Sequence, residues 1–156
     1  MKHWIWYLAG LLVTAGIFGV PFTASDVAKL QPVQVVQVSL QANGITVQTD
    51  TGDLGIGESL GEAFDDLKRT TPGYVFLETA QYLLVTHSAA SLLQELSLYL
   101  RPGCSVYVLY GEADLTEVAQ YLSAHTSNVT LRDCAADDCS LPLLVAEGGK
   151  ISVAKS

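Results

Sequence analysis

Charged residues are scarce in this chain. Asp, Glu, Lys and Arg make up 15% of its 156 residues, where an average soluble domain carries about a quarter. Cations are the scarcest: eight Lys and Arg stand against 16 Asp and Glu, a formal net charge of −8. Phosphate backbones are held by clustered Lys and Arg, so nucleic acid is excluded as a partner. There are only three His and three Cys. None of them is spaced as metal ligands or as a C-x-x-C redox pair, so neither a metal nor another cofactor is expected. The length excludes a multi-domain enzyme or a polytopic transporter.

A strongly apolar stretch without charge runs from Trp4 to Phe22, after the short basic start Met1-Lys2-His3. About 20 helical residues span a bilayer core, so this run is just long enough to cross one. Trp4, Trp6 and Tyr7 stand where interfacial aromatics are expected. The segment reads as an uncleaved membrane anchor or as a signal peptide cleaved near Thr23-Ala24-Ser25. Signal cores are usually about 7–15 residues, which favours the anchor. Residues 1–25 are therefore expected to be an N-terminal transmembrane or signal helix. Residues 26–156 are expected to form one exported domain on the extracytoplasmic side. Without residues 1–25 the chain keeps seven bases against 16 acids, so the exported part is strongly acidic.

All three cysteines, Cys104, Cys134 and Cys139, lie in that exported part. An oxidising location permits disulfides. Cys134 and Cys139 are five residues apart in a polar stretch, and a small loop-closing disulfide between them is the candidate. Cys104 opens an apolar run and reads as core packing.

The exported part alternates strands with helices. Val33, Val35, Val36, Val38 and Leu40 read as one strand, with a bulge expected where the alternation slips at Val35-Val36. Asn43-Gly44 is a two-residue hairpin signal leading to Ile45 and Val47. Thr49–Gly57 is polar and glycine-rich and reads as a loop. Ser59-Leu-Gly-Glu62 is a capping box, and Leu60, Ala63, Phe64 and Leu67 make one helical face. Tyr74–Val85 reads as one irregular strand or two short ones. A second helix is expected over Ser88–Leu100, a central strand over Ser105–Tyr110, and a third helix after the capping box Asp114-Leu-Thr-Glu117. Val129–Leu131 reads as a short strand, and a weak hairpin closes the chain around Gly148-Gly149. The fold class is α/β: a mixed β-sheet with about three helices packed on it.

Gly57-Glu-Ser59-Leu-Gly61 matches G-x-S-x-G, which in α/β-hydrolases follows a buried strand. A helix cap accounts for Ser59 without catalysis, so the serine-hydrolase reading stands only as an alternative, beside a generic cell-surface binding module. Gly55, Gly57 and Gly61 are too isolated a pattern for a phosphate loop. His87 and His125 lie beside helix ends, without partners at ligand spacing. The pairs Asp65-Asp66 and Asp137-Asp138 read as solvated carboxylates, because adjacent helical residues do not face each other. No catalytic residue is assigned.

The order of motifs resembles the N-terminal domain of the spore germinant receptor C subunit, the Ger(x)C family. The resemblance lies in the helix Gly57-Glu-Ser59-Leu60-Gly-Glu-Ala63-Phe64-Asp-Asp-Leu67 and in the strand segment Tyr74–Val85 leading into a helix. It continues through Leu98-Tyr-Leu-Arg101-Pro102, Val106–Tyr110 and the short helix that follows, covering about residues 27–122. Family members usually carry a lipobox Cys, often a His where Thr79 stands, and further domains. The resemblance therefore implies a shortened, helix-anchored paralogue. It implies a non-enzymatic subunit or accessory of a germinant-receptor-like membrane complex in a spore-former, with protein partners at the membrane.

Overall fold

The fold was obtained as a computed structural model that describes residues 30–136, 139–147 and 150–154. The anchor or signal segment, the pair Asp137-Asp138 and the Gly148-Gly149 turn lie outside the described residues. Residues from Gln31 onward form one compact unit.

The architecture is α/β. Among the described residues nine strands occur: β1 (Leu30–Pro32), β2 (Val35–Gln41), β3 (Gly44–Thr49), β4 (Leu54–Gly57), β5 (Tyr74–Phe76), β6 (Tyr82–Val85), β7 (Ser105–Gly111), β8 (Leu143–Glu147) and β9 (Lys150–Ala154). Among the described residues four α-helices accompany them: α1 (Leu60–Thr70), α2 (Leu93–Leu96), α3 (Leu115–Ala124) and α4 (Leu131–Ala136). Seven strands form one mixed sheet in the order β4-β3-β2-β6-β7-β8-β9, while β1 pairs with β5 in a small separate ribbon. The central four, β2, β6, β7 and β8, are parallel. Antiparallel strands flank them, β3 and β4 on one side and β9 on the other.

Parallel strands covered on both faces read as unbroken apolar runs, and every residue of β6 is buried. One face of the sheet presents Val36, Val38, Leu83, Val85 and Val106 to α1, α2 and α4. The other presents Val35, Leu84, Tyr107, Leu109 and Leu144 to α3. Helix α1 buries Leu60, Ala63, Phe64 and Leu67, and each large apolar side chain so buried stabilises the fold by roughly 1.5–3 kcal/mol. Phe64 also stacks on Tyr99, with ring centroids 4.7 Å apart.

Several local expectations are revised. There is no bulge at Val35-Val36: both residues stay in register with β6, Val36 also pairs with Thr49 of β3, and each faces a different core. The hairpin loop is Ala42-Asn43, one residue earlier than expected. The positive φ falls on Gly44 alone, at +122°. Asn43 has no positive φ, so the turn is not the type I′ form that Asn-Gly usually favours. Tyr74–Val85 divides into β5 and β6 around a 3₁₀ turn at Leu77–Thr79.

The Ser88–Leu100 helix is a 3₁₀ segment, His87–Leu92, followed by the single α-turn of α2. Ser91 Oγ donates to the Ser88 carbonyl and Ser97 Oγ to the Gln94 carbonyl. Such local bonds compete with regular helix. Val129–Leu131 is not a strand. Thr130 makes one isolated bridge to Ser105, and α4 begins at Leu131, adding a helix to the expected three.

Candidate interaction surface

The largest revision lies between Thr49 and Gly57, where Leu54–Gly57 is not loop but strand β4, at one edge of the sheet. Its alternation is Leu-Gly-Ile-Gly. The glycines face α1. A Cβ on Gly55 would overlap the Ala63 carbonyl oxygen and stand 2.6 Å from the Leu67 nitrogen. One on Gly57 would stand 2.5 Å from the Ala63 nitrogen. Only glycine lets α1 approach this closely.

Leu54 and Ile56 therefore point to the opposite face, which α3 does not reach at this end of the sheet. They are 45% and 53% exposed. Cross-strand register puts them in two rows, Ser39–Thr46–Ile56 and Gln37–Gln48–Leu54. Polar residues thus bridge the α3 core and an apolar pair at the rim.

The outer edge of β4 is closed by α1. Asp66 Oδ2 accepts from the Ile56 N–H at 3.0 Å, and Thr70 Oγ1 donates to the Leu54 carbonyl at 3.1 Å. Arg69 holds the other Asp66 oxygen at 2.6 Å. The Ile56 N–H, and secondarily Arg69, keep the Asp66 carboxyl below its ordinary pKa. Ile56, Gly57, Glu62, Asp65, Asp66 and Arg69 line a shallow depression of about 300 Å³ along this corner. Three carboxylates and one guanidinium of α1 thus lie along the strand edge at Ile56. Asp65-Asp66 is accordingly not an acid/base dyad: Asp66 is committed to the strand edge and to Arg69.

Ser59 is the N-cap of α1, and its hydroxyl accepts from the Glu62 N–H at 3.3 Å. Glu62 reaches back to the Glu58 N–H at 2.9 Å, one residue before the partner a capping box would use. A strand does precede Ser59, but it is an edge strand, and Ser59 is extended at φ −127°, not in the strained turn of a nucleophile elbow. His87 is exposed at the start of its 3₁₀ segment. His125 caps the end of α3, stacked on Tyr121 at 4.4 Å, with Nδ1 3.0 Å from the Tyr121 carbonyl. Thr79 donates to the Val33 and Phe76 carbonyls and so ties the entry of β2 to the 3₁₀ turn.

Cys134 and Cys139 are joined by a disulfide with Cα atoms 5.0 Å apart. Cys104 is a free thiol, fully buried beneath α4, and burial pushes its pKa up to about 12. Among the described residues no group of His, Cys, Asp and Glu is arranged to hold a metal ion. Among them also, no helix is long and apolar enough to cross a membrane.

Leu54 and Ile56 escape the sequence reading because their glycine neighbours look like loop. The alternation Leu-Gly-Ile-Gly is the signal that could have found them. No protein-family model matches the chain, and comparison with curated proteins and with solved structures gives no match.

Proposed function

We propose that this chain is an extracytoplasmic binding domain held at a membrane by its Trp4–Phe22 segment. It serves, through protein–protein contacts rather than catalysis, as a subunit or accessory of a spore-germinant-receptor-like complex. The observation that carries the binding role is the corner of β4 and α1. Two exposed aliphatic side chains on one stretch of sheet, with Glu62, Asp65 and Asp66 along the adjoining edge at Ile56, suit a partner face that is apolar and fringed with Lys or Arg. The Cys134–Cys139 disulfide supports an oxidising compartment. The germinant-receptor assignment rests on the motif order from Gly57 to Leu122. The serine-hydrolase alternative gains nothing from Ser59, whose hydroxyl is engaged as a helix cap.

The test is cross-linking of the tagged full chain in membranes of the spore-former that makes it, followed by mass spectrometry. A transporter-like or large membrane subunit should be captured with the wild type. The Leu54→Ser/Ile56→Ser variant should lose it at unchanged thermal stability. Capture of no membrane protein sinks the proposal. Fluorophosphonate labelling abolished by Ser59→Ala would instead establish the hydrolase.

A further inference from the structure

The disulfide lies apart from the binding corner and has chemistry of its own. Cys134 and Cys139 are only half-buried. They line a surface groove of about 330 Å³ whose other wall carries Ser91, Leu93 and Gln94 from the 3₁₀ segment and α2. Leu141 also lines it. The remaining cysteine is the opposite case, with Cys104 fully enclosed in the core.

The bond is also local. It closes a loop of sequence separation five. The start of α4 is held without it, by the fully buried Leu131 and by its N–H donated to the Cys104 carbonyl at 2.8 Å. Breaking the bond therefore loosens the end of α4 and leaves the core intact.

We propose that Cys134–Cys139 is a thiol–disulfide exchange site, open in the folded protein to a dithiol reductant that enters along this groove. One thiolate of the dithiol attacks a cysteine sulfur. The S–S bond breaks, and its electron pair stays on the second sulfur, which takes a proton from water. The other thiol of the reductant, deprotonated, attacks the mixed disulfide and releases the remaining cysteine, which is protonated in turn. Two electrons pass to the protein, and the dithiol leaves as a disulfide. This site rests on the groove and the bond alone and is independent of the germinant-receptor reading.

The experiment exposes the detergent-solubilised full chain to millimolar dithiothreitol under native conditions. Iodoacetamide quenches the reaction, and peptide mass mapping and circular dichroism follow. Cys134 and Cys139 should be alkylated within minutes, with Cys104 unlabelled and the spectrum unchanged. Gln94→Trp, at an exposed position on the groove wall, should slow reduction about tenfold, as expected where access limits exchange. A bond that survives until denaturant is added overturns the proposal. So does alkylation of Cys104 in step with the other two, which would mean reduction by way of unfolding. An unaltered rate in Gln94→Trp overturns the groove as the route of entry.

Discussion

Cys104 shows how one residue's setting decides its chemistry. Its thiol is fully buried, and desolvation raises its pKa to about 12. The thiolate is the reactive form. In the native protein Cys104 should therefore resist alkylation at neutral pH and react only as the chain unfolds. The time course of labelling across a denaturant series checks this.

Asp66 is the opposite case, an ionised group held in that state. Its folded pKa lies below the ordinary 3.8 because the charged form accepts from Ile56 and Arg69. Its contribution is thus complete above the unfolded value and disappears as pH falls through the folded one. Asp114 and Asp133 are lowered likewise, by hydrogen bonds from Thr116 and Thr130 at the starts of α3 and α4. Acid titration below 3.8 should destabilise the wild type more steeply than Asp66→Asn, with the difference read from urea midpoints at successive pH values. Equal slopes would remove Asp66 from the account.

The element that organises the proposed binding corner is the β4–α1 pair. Its close approach depends on Gly55 and Gly57. Ala at Gly55 must displace the backbone of α1, because its Cβ would overlap the Ala63 carbonyl and crowd the Leu67 nitrogen. Forced overpacking of this kind costs about 1–3 kcal/mol. A Cβ on Gly103 meets nothing within 4 Å, so Gly103→Ala is the matched control and should leave stability nearly unchanged. Thermal melts of the two variants decide the point. A second element, α4, is too short to persist without tertiary support. Leu131 and the disulfide hold its two ends.

Across the whole molecule, helix side chains reach both edges of the seven-stranded sheet, two groups of β4 and one of β9. Asp66 and Thr70 occupy the outer groups of β4, and Tyr121 from α3 reaches the Val153 N–H of β9 at 3.3 Å. Unguarded edges pair with other chains. The Asp66→Ala/Thr70→Val variant should therefore associate with rising concentration while keeping its circular dichroism spectrum. Sedimentation velocity checks this, and a strictly monomeric variant would show that the guard is dispensable. With the β4 edge closed, what this corner exposes is the face carrying Leu54 and Ile56 rather than the strand's outer groups.

Local pattern alone determined a good share of this protein. Helices α1 and α3 follow from capping residues and apolar spacing, β6 and β7 from apolar runs, and the α/β class from their alternation. Those signals lie within a few residues of one another and need no knowledge of distant neighbours. Tertiary structure decided the rest. Leu54–Gly57 is a strand only because α1 lies against its glycines and bonds its outer edge. Val35-Val36 is regular only because the sheet has two cores. The Ser88–Leu100 helix shortens where serines bond locally, and Leu131 turns helical where its N–H meets Cys104. In each case long-range packing or a hydrogen bond from another element outweighs a weak local preference, and the exposed pair that marks the candidate surface arises from one of these reversals.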